Sequence, residues 1–241
     1  MRAFSYGYGI PRGGGRGSAD PRAISGLRMF FIADKGITIG TGVSAWADQS
    51  GNGNDLSQGT GSAQPALVSS WRNGRNALQG AASKWIGRAS LVTPVNGAMS
   101  ALIVVETPAA FGASEFLFGS SVGGEKYCRN ATNVLKLGAS SDAGTLAMPT
   151  STACVLYAEW TASGTNGTAR VLPHGGTVLS ETNLATGTAN LTQMGVLDLH
   201  GGAVPWKSKI AALAVYNRSM SIAERTQLES WAKTYYGIAP L

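Results

Sequence analysis

The sequence predicts an all-β protein, a two-sheet antiparallel jelly-roll sandwich with one short α-helix at its C-terminal end. Short apolar or alternating segments recur along the 241 residues, and Gly, Asn, Ser or Pro separates them. One all-β domain commonly has this length. Helical periodicity is confined to the last part of the chain. Because 44% of the residues are hydrophobic and only 13% are charged, a highly charged disordered chain is excluded.

The first 26 residues are predicted to form an extended Gly- and Arg-rich arm, and residues 27–241 the sandwich domain. The formal net charge is +6, and the first 28 residues carry +4 of it. Since aromatic and Arg side chains are favoured interface anchors, we expect the arm to dock on other proteins. The alternative is a tail packed on its own domain. The expected docking residues are Arg2, Phe4, Tyr6, Tyr8, Arg12, Arg16 and Arg22.

Nucleic acid and membranes are not expected partners. The arginines of the arm are sparse compared with a tail that tracks a nucleic-acid backbone. No apolar run has the roughly 18 residues that a membrane span needs. The N-terminus lacks the apolar stretch of a secretory signal, so export by the usual route is not expected.

The strands are predicted where residues alternate or form short apolar runs between turn residues. Residues 27–33 are apolar and aromatic and end at a turn, and residues 42–47 alternate in polarity. The same criteria, applied in chain order, predict the remaining strands at 66–69, 77–79, 84–87, 99–106, 115–119, 133–138, 155–161, 168–172, 190–199 and 209–216.

The predicted helix begins with a capping box. Ser221 and Glu224 have the spacing at which each side chain bonds the other residue's backbone N–H. Gly237 and Pro240 then stop the helix. The stripe expected to pack on the sandwich consists of Ile222, Leu228, Trp231, Ala232 and Tyr235.

Two cysteines, Cys128 and Cys154, have neither the number nor the spacing of a disulfide framework or a zinc site. Both are expected to be buried thiols. With only His174 and His200 available, the sequence cannot form a Cys/His metal cluster.

A polar turn between the second and third predicted strands is the one candidate for a metal ion. Its alternating oxygens resemble the first ligands of a calcium loop, although Gly59 stands where an EF-hand has its bidentate Glu. A tight Asn-Gly turn held by side-chain hydrogen bonds is the alternative that the sequence favours. The residues concerned are Asp48, Ser50, Asn52, Asn54 and Asp55.

Sugar binding would use aromatic side chains in loops. Trp71, Asn73 and Trp206 lie in loop contexts and are the candidate carbohydrate-binding residues. A loop tryptophan that fills a subunit interface is the alternative. The other four tryptophans, Trp46, Trp85, Trp160 and Trp231, are expected in the core.

No pattern of catalytic residues is found, so the protein is expected not to be an enzyme. A glycosidase needs two carboxylates that face one sugar. The isolated glutamates lie on different predicted strands or loops, and both histidines lie in turns without a nucleophile motif. These glutamates are Glu106, Glu115, Glu125, Glu159 and Glu181.

The two ends of the predicted domain carry a family resemblance. Residues 27–36, followed by the Trp46–Asp55 turn, and the final strand, helix and Tyr236–Ile238 ending are similar to concanavalin A-like, laminin-G-type jelly-roll domains of bacterial and bacteriophage proteins. The resemblance covers about residues 27–238 and leaves out the arm. It implies a jelly roll. It also implies a phage structural protein, in which the arm attaches the domain to the particle.

The expected function is therefore that of a non-enzymatic bacteriophage virion protein, a capsid decoration or a tail or neck appendage. The arm would anchor it to other virion proteins, and a lectin-like domain would face outward. A homo-oligomer in the virion, assembled in the host cytoplasm, is expected. The alternative is a carbohydrate-binding adsorption module on the same particle that recognises host surface glycans. No cofactor is expected unless the polar turn binds calcium.

Overall fold

The computed structural model describes residues 20–123, 125–139, 142–188, 190–201 and 204–241. Two antiparallel sheets of eight and nine strands are stacked on each other, and one α-helix lies on the outer face of the eight-stranded sheet. The predicted fold class, an all-β sandwich with a single C-terminal helix, is confirmed.

The eight-stranded sheet, sheet A, contains the longest strands and carries the helix. Its order is β15-β14-β13-β8-β17-β6-β5, and β1 also pairs with β17. The strands are β1 (Leu27–Ile32), β5 (Ala66–Arg72), β6 (Arg75–Gln79), β8 (Met99–Glu106), β13 (Ala153–Trp160), β14 (Gly167–Pro173), β15 (Leu179–Leu184) and β17 (Lys209–Tyr216).

The nine-stranded sheet, sheet B, consists of shorter strands, and no helix of the described ranges lies on its outer face. Its order is β12-β11-β10-β9-β16-β7-β4-β3-β2. The strands are β2 (Ile37–Ile39), β3 (Val43–Trp46), β4 (Leu56–Ser57), β7 (Ile86–Arg88), β9 (Glu115–Gly119), β10 (Tyr127–Ala131), β11 (Val134–Gly138), β12 (Asp142–Ala143) and β16 (Met194–Val196).

The main core lies between the two sheets. Alternate residues of each strand point inward, as the period of two along a strand requires. Trp46 and Trp160 fill this space and are fully buried, and their indole N–H groups donate to the carbonyl oxygens of Ile32 and Gly138. Both tryptophans are therefore core residues, as predicted.

A second core lies between sheet A and the helix α1 (Ile222–Tyr236). Phe30 of β1 packs edge-on against Trp231, with ring centroids 5.5 Å apart. The predicted capping box of Ser221 and Glu224 is present, and Gly237 ends the helix with a φ of 63°. Ile222 is a correction to the predicted stripe, because its side chain is exposed at the first turn.

The remaining stripe residues Leu228, Trp231 and Ala232 are buried against sheet A as predicted, and Tyr236, which was not predicted, is buried with them. Tyr235 is half-buried beside them. None of the helices in the described ranges has the length and apolar character of a segment that crosses a membrane.

Residues 20–26, the last part of the predicted arm, pack on sheet A. The Tyr216 hydroxyl donates to the Pro21 carbonyl oxygen at 2.8 Å, and Ile24 is buried in the second core. Arg22 lies on the surface and forms an ion pair with Asp20. The other predicted docking residues, Arg2, Phe4, Tyr6, Tyr8, Arg12 and Arg16, lie outside the described residues.

Five strands were not predicted from the sequence. β2, β4 and β12 are only two or three residues long, and β15 is an edge strand that carries the polar run Ser180–Asn183. β10 contains Arg129 and Asn130, which break an apolar pattern. The predicted strand over 190–199 is limited to β16 because the chain turns immediately after it.

Cys128 and Cys154 are free and buried, as predicted. Burial raises the pKa of the Cys154 thiol to about 12 and that of Cys128 still further. Both thiols therefore remain protonated and unreactive at neutral pH.

Candidate functional site

The outer face of sheet B has three glycines in a row across its centre. Gly119, Gly195 and Gly87 are directly opposite one another on β9, β16 and β7. Their inward neighbours Phe118 and Val196 are fully buried in the main core, so the glycines point to the outer face. The row leaves a shallow depression where side chains would otherwise stand.

The loop that follows β16 lies in this depression. A Cβ atom at Gly195 would overlap the backbone of Leu199 and His200, so a larger residue does not fit there. The buried Asp198 carboxylate accepts hydrogen bonds from the backbone N–H groups of Leu199 at 2.6 Å and Val204 at 3.0 Å. These bonds fix where Leu199 and His200 are presented.

Aromatic side chains lie on both sides of the loop. Trp85, which precedes β7, packs edge-on against His200 with ring centroids 5.1 Å apart. Leu199 lies over Gly119, and beyond it Tyr127 of β10 packs edge-on against Phe116 of β9 at 5.3 Å. All five side chains are half-buried. We call this surface the aromatic strip: Trp85, His200, Leu199, Tyr127 and Phe116.

Charged groups complete one end of the aromatic strip. The Arg129 guanidinium lies over the Phe116 ring, 5.7 Å from its centroid. It forms an ion pair with Asp142 and donates to Ser114 Oγ at 2.7 Å, and the Tyr127 hydroxyl donates to Asp142 at 2.8 Å. These bonds hold the two aromatic rings and the carboxylate in one arrangement.

The titratable groups of the strip keep fixed protonation states at neutral pH. Burial and the neighbouring Asp142 carboxylate raise the pKa of Tyr127 to about 12, so it stays a neutral hydroxyl. Burial lowers the pKa of His200, which favours its neutral ring. Burial raises the pKa of Asp142, but the hydrogen bonds from Arg129 and Tyr127 outweigh this effect and hold it below the usual value. The strip therefore presents neutral rings beside a paired carboxylate.

The three predicted carbohydrate-binding residues all make contacts within the fold. Trp71 is half-buried at the edge of the second core, where its indole N–H donates to Glu106 at 2.8 Å. Asn73 donates to the Tyr235 carbonyl oxygen at the end of the helix, at 3.0 Å. Together these two residues connect the β5–β6 hairpin to the helix.

Trp206 is a clear correction, because its side chain is fully buried and not exposed in a loop. Its ring packs beside Phe111, with centroids 6.2 Å apart. Its backbone approaches Gly80 so closely that a Cβ atom at that position would collide with the Trp206 carbonyl oxygen. A buried ring cannot stack on a sugar.

Trp85 corrects a prediction in the opposite direction. It is predicted to lie in the core, but it lies on the outer face of sheet B. Ile86 points into the main core, so its neighbours Trp85 and Gly87 point outward by the period of two. The glycine two residues after a tryptophan was the available signal for an outward-facing ring. The loop carrying His200 had no such signal, because its position depends on the pairing of three strands.

The polar turn predicted as a calcium candidate closes on itself and on β1. Asp48 Oδ1 accepts from the backbone N–H groups of Phe30 and Ser50, each at 2.9 Å. Its Oδ2 accepts from Ser50 Oγ at 2.8 Å and from the Asn54 N–H at 3.1 Å. These four donors occupy the carboxylate that a cation would need.

The remaining side chains of this turn also form hydrogen bonds to the backbone. Asn52 and Asn54 donate their side-chain N–H groups to the Arg28 carbonyl oxygen, and Asp55 accepts from the Asp48 N–H at 2.8 Å. The geometry supports the hydrogen-bonded turn, and calcium binding stays a prediction without a supporting contact. In the ranges that the structure describes, no three His, Cys, Asp or Glu side chains are grouped to hold a metal ion.

The five isolated glutamates each have a partner within the fold. Burial raises the pKa of Glu115, whose carboxylate lies 3.7 Å from the Lys207 ammonium and is 2% exposed. Glu106 contacts Trp71 and Lys209, Glu125 contacts Thr192, Glu159 contacts Tyr157, and Glu181 contacts Thr145.

A separate groove opens at the end of the sandwich where β13 begins and β14 ends. It has a volume of about 480 Å³ and lies between residues 147–152 and the turn after Pro173. His174 is one of its lining residues, and its Nδ1 accepts a hydrogen bond from the Ala239 N–H at 3.1 Å. Neither histidine turn was predicted as a site.

No protein-family model matches the sequence, and no curated protein is similar to it. Similar solved structures include the sialidase of Trypanosoma rangeli in complex with sialic acid, at 12% identity and a TM-score of 0.54. That match covers 88% of this chain and 33% of the sialidase.

An arabinofuranosidase complexed with arabinofuranosyl-α-1,2-xylobiose is similar at 11% identity and a TM-score of 0.59, over 81% of this chain and 51% of the other. The receptor-binding domain of botulinum neurotoxin type G is similar at 12% identity and a TM-score of 0.56, over 88% and 52%. The chain thus spans between a third and about half of these proteins. At such identities the likeness shows the fold alone.

These structures contradict the prediction that the protein is not an enzyme. That prediction set glycosidases aside, and two of the proteins that share the fold, a sialidase and an arabinofuranosidase, are glycosidases. The fold therefore gives no ground for excluding such chemistry. The likeness assigns no catalytic residue to this chain.

Proposed function

We propose that the protein is a carbohydrate-binding β-sandwich that a bacteriophage particle uses for adsorption, and that the aromatic strip is its glycan-binding surface. The observation that carries the proposal is the row of half-buried rings on the outer face of sheet B. Sugars present C–H faces that pack on such rings and hydroxyl groups that bond to neighbouring polar atoms.

The dimensions of the aromatic strip suit a short oligosaccharide. The strip crosses four neighbouring strands, β7, β16, β9 and β10. Three strand spacings of about 4.8 Å give a length of about 14 Å. A chain of two or three sugar rings would contact the Trp85–His200 pair at one end and the Tyr127–Phe116 pair at the other.

Polar groups lie at both ends of the strip. Ser57 is exposed and stands opposite Gly87, and the Trp85 ring lies close to Gly87. Asp142 and Arg129 lie at the other end. Hydroxyl and carboxylate oxygens accept hydrogen bonds from sugar hydroxyls, so the rings would supply contact area and these ends would fix the orientation.

The fold neighbours support sugars as the ligand class. The sialidase contains bound sialic acid, and the arabinofuranosidase contains a bound arabinofuranosyl-xylobiose. The likeness lies in the fold, so the ligand of this chain is a matter for direct measurement.

A glycan array of bacterial surface saccharides, probed with the wild-type protein and with the Trp85→Ala variant, tests the proposal. The wild type should bind at least one glycan, and Trp85→Ala should bind it at least about tenfold more weakly. The reason is that an aromatic contact of about 1.5 kcal/mol corresponds to a factor of about ten.

Ile222→Ala is the matched control, because it removes an exposed apolar side chain from the helix behind sheet A. It should bind like the wild type. Equal binding by Trp85→Ala and the wild type would refute the role of the strip. Release of free sugar from the bound glycan would show that the chain also cleaves it.

The placement on a phage particle rests on the sequence resemblance at both ends of the domain. Residues 1–19 would attach the protein to other virion proteins and leave the sandwich outside. Particles assembled with a variant that lacks residues 1–19 should contain none of the protein, whereas the isolated variant should still bind glycan. Normal incorporation of that variant would contradict the anchoring role.

A further inference from the structure

We infer that the groove at His174 is a second ligand site, separate from the aromatic strip, and that it binds the acetamido group of an N-acetylated sugar. The groove lies between residues 147–152 and 173–179, at an end of the sandwich. Its volume of about 480 Å³ is within the range of small-molecule sites.

The charge of the lining selects a neutral ligand. Among the described residues that line the groove there is no Asp, Glu, Lys or Arg. A phosphate or carboxylate would lose its hydration without gaining an opposite charge, which is unfavourable. A cation would find no side-chain carboxylate among these lining residues. A neutral ligand is therefore expected.

Most of the lining side chains are apolar. Met148, Pro149, Pro173 and Leu179 supply this surface, and Met148 and Pro173 are buried beneath it. A methyl group in contact with these side chains would leave water, with a gain of about 25 cal/mol for each Å² of apolar area buried. The ligand should therefore carry a small apolar group.

One donor in the lining has a fixed orientation. His174 Nδ1 accepts from the Ala239 N–H, so the neutral ring carries its proton on Nε2. The C-terminal segment holds this turn further, because the Gly175 N–H donates to the Ala239 carbonyl oxygen at 2.8 Å. Nε2–H is thus a donor for a ligand oxygen.

One acceptor in the lining is equally fixed. The Thr152 hydroxyl donates its hydrogen to the Thr150 carbonyl oxygen at 2.7 Å, so its oxygen can accept a hydrogen bond from a ligand. The Thr152 backbone N–H is bonded to Thr107 Oγ1 at 2.9 Å, which fixes the residue. A donor, an acceptor and an apolar surface match the carbonyl oxygen, N–H and methyl group of an acetamide.

Titration of the full-length ¹⁵N-labelled protein with N-acetylglucosamine tests this inference, with glucose as the control sugar that lacks the acetamido group. N-acetylglucosamine should shift the resonances of His174, Thr177 and Leu179, and glucose should leave them unchanged. Equal shifts with both sugars, or no shifts with either, would overturn the inference.

Two substitutions at His174 distinguish a direct contact with the ligand from a role in holding the turn. His174→Asn keeps an acceptor near the Ala239 N–H and lacks the Nε2 donor, so it should weaken binding about fivefold, as loss of one hydrogen bond does. His174→Gln keeps a donor near the Nε2 position and should bind more tightly than His174→Asn. The reverse order would contradict the assigned role of Nε2.

Ala147→Trp should fill the groove and abolish binding, because Ala147 is exposed at its edge. Trp85→Ala should leave binding of N-acetylglucosamine in the groove unchanged, since Trp85 lies on the outer face of sheet B and His174 at the sandwich end. Loss of the groove resonance shifts in Trp85→Ala would refute two separate sites. Failure of the glycan array alone would refute only the proposed function.

Discussion

Single glycines decide whether a side chain or a loop occupies the centre of sheet B. At Gly119 a Cβ atom would lie 2.6 Å from the Tyr127 Cβ, and at Gly195 it would overlap the loop backbone. The aromatic strip therefore depends on residues that have no side chain. This dependence explains why a sequence search for loop tryptophans did not find it.

Gly195→Ala should destabilise the protein by about 2 kcal/mol, because the added methyl group displaces the loop that carries His200. Urea unfolding measures this change. Gly59→Ala is the matched control, since nothing lies within 4 Å of its added Cβ. A Gly195→Ala variant as stable as Gly59→Ala would show that the loop does not lie on the glycine row.

Lys126 places an ammonium group in the interior, where the cost of burial outweighs the attraction of the nearby Glu125 charge. Its side chain is fully buried, its Nζ has no hydrogen-bond partner among the described residues, and burial lowers its pKa to about 8. In the unfolded chain the pKa is about 10.4. The folded protein therefore disfavours the charged form, and Lys126 destabilises it at neutral pH.

Lys126→Met should raise the melting temperature at pH 7 by roughly 3 °C, because it keeps the apolar stem and removes the charge. The advantage should shrink as the pH rises from 8 towards about 10.4, where the unfolded wild type also loses its proton. Calorimetry of both proteins at pH 7 and at about pH 10.4 measures this change in melting temperature. An advantage that does not depend on pH would show that the charge of Lys126 does not cause the destabilisation.

Among the elements, the turn after β3 joins sheet B to β1 through hydrogen bonds. Asp48 alone accepts four hydrogen bonds, one of them from Phe30 in β1. These hydrogen bonds explain why residues 27–36 and the Trp46–Asp55 turn, which resemble jelly-roll domains, occur together in the sequence. The turn connects the first strand to the sheet opposite it.

Asp48→Ala should lower the free energy of unfolding by about 3 kcal/mol, because it leaves backbone donors without a charged acceptor. Asp55→Ala, which removes only the bond to the Asp48 N–H, should cost less. Addition of calcium should leave the wild-type melting temperature unchanged. A calcium-dependent rise that Asp48→Ala abolishes would restore the metal-site prediction.

Elements with a strong local pattern could be predicted from the sequence. β8, β9 and β17 have the predicted bounds, and the capping box of α1 is present. Strands that consist of two or three residues, or that lie at an edge with polar side chains, have too little local pattern. Their pairing is determined by neighbours far away in the chain.

The candidate site was less predictable than the fold. The aromatic strip is assembled from β7, β9, β10 and the loop after β16, which are distant in sequence. Trp71 and Trp206 have a loop-like sequence context, yet each contacts a core. Local composition does not show which face of a strand meets another layer.

At the scale of the whole molecule, the two sheets have different roles. Sheet A is covered by the helix, and its outer face forms the second core. Sheet B carries the aromatic strip on its outer face, where the part of the chain that the structure describes places no helix. The groove at His174 lies at the end of the sandwich, apart from the strip. If the aromatic strip binds glycan as proposed, sheet A contributes stability and sheet B recognition.

The charge of the molecule fits this division. The arm and the residues that follow it to residue 28 carry +4 of the net +6, which leaves the rest of the chain nearly neutral. A nearly neutral body is suited to neutral or weakly charged sugars more than to nucleic acid. The attachment of the arm to other virion proteins stays a prediction.

Resonance mapping with the best glycan from the array shows whether the aromatic strip binds glycan. The largest shifts should occur at the Trp85 indole N–H and at His200, Tyr127 and Phe116, and Trp85→Ala should bind about tenfold more weakly. Large shifts confined to the β5–β6 hairpin at Trp71, with the strip unchanged, would contradict glycan binding by the strip.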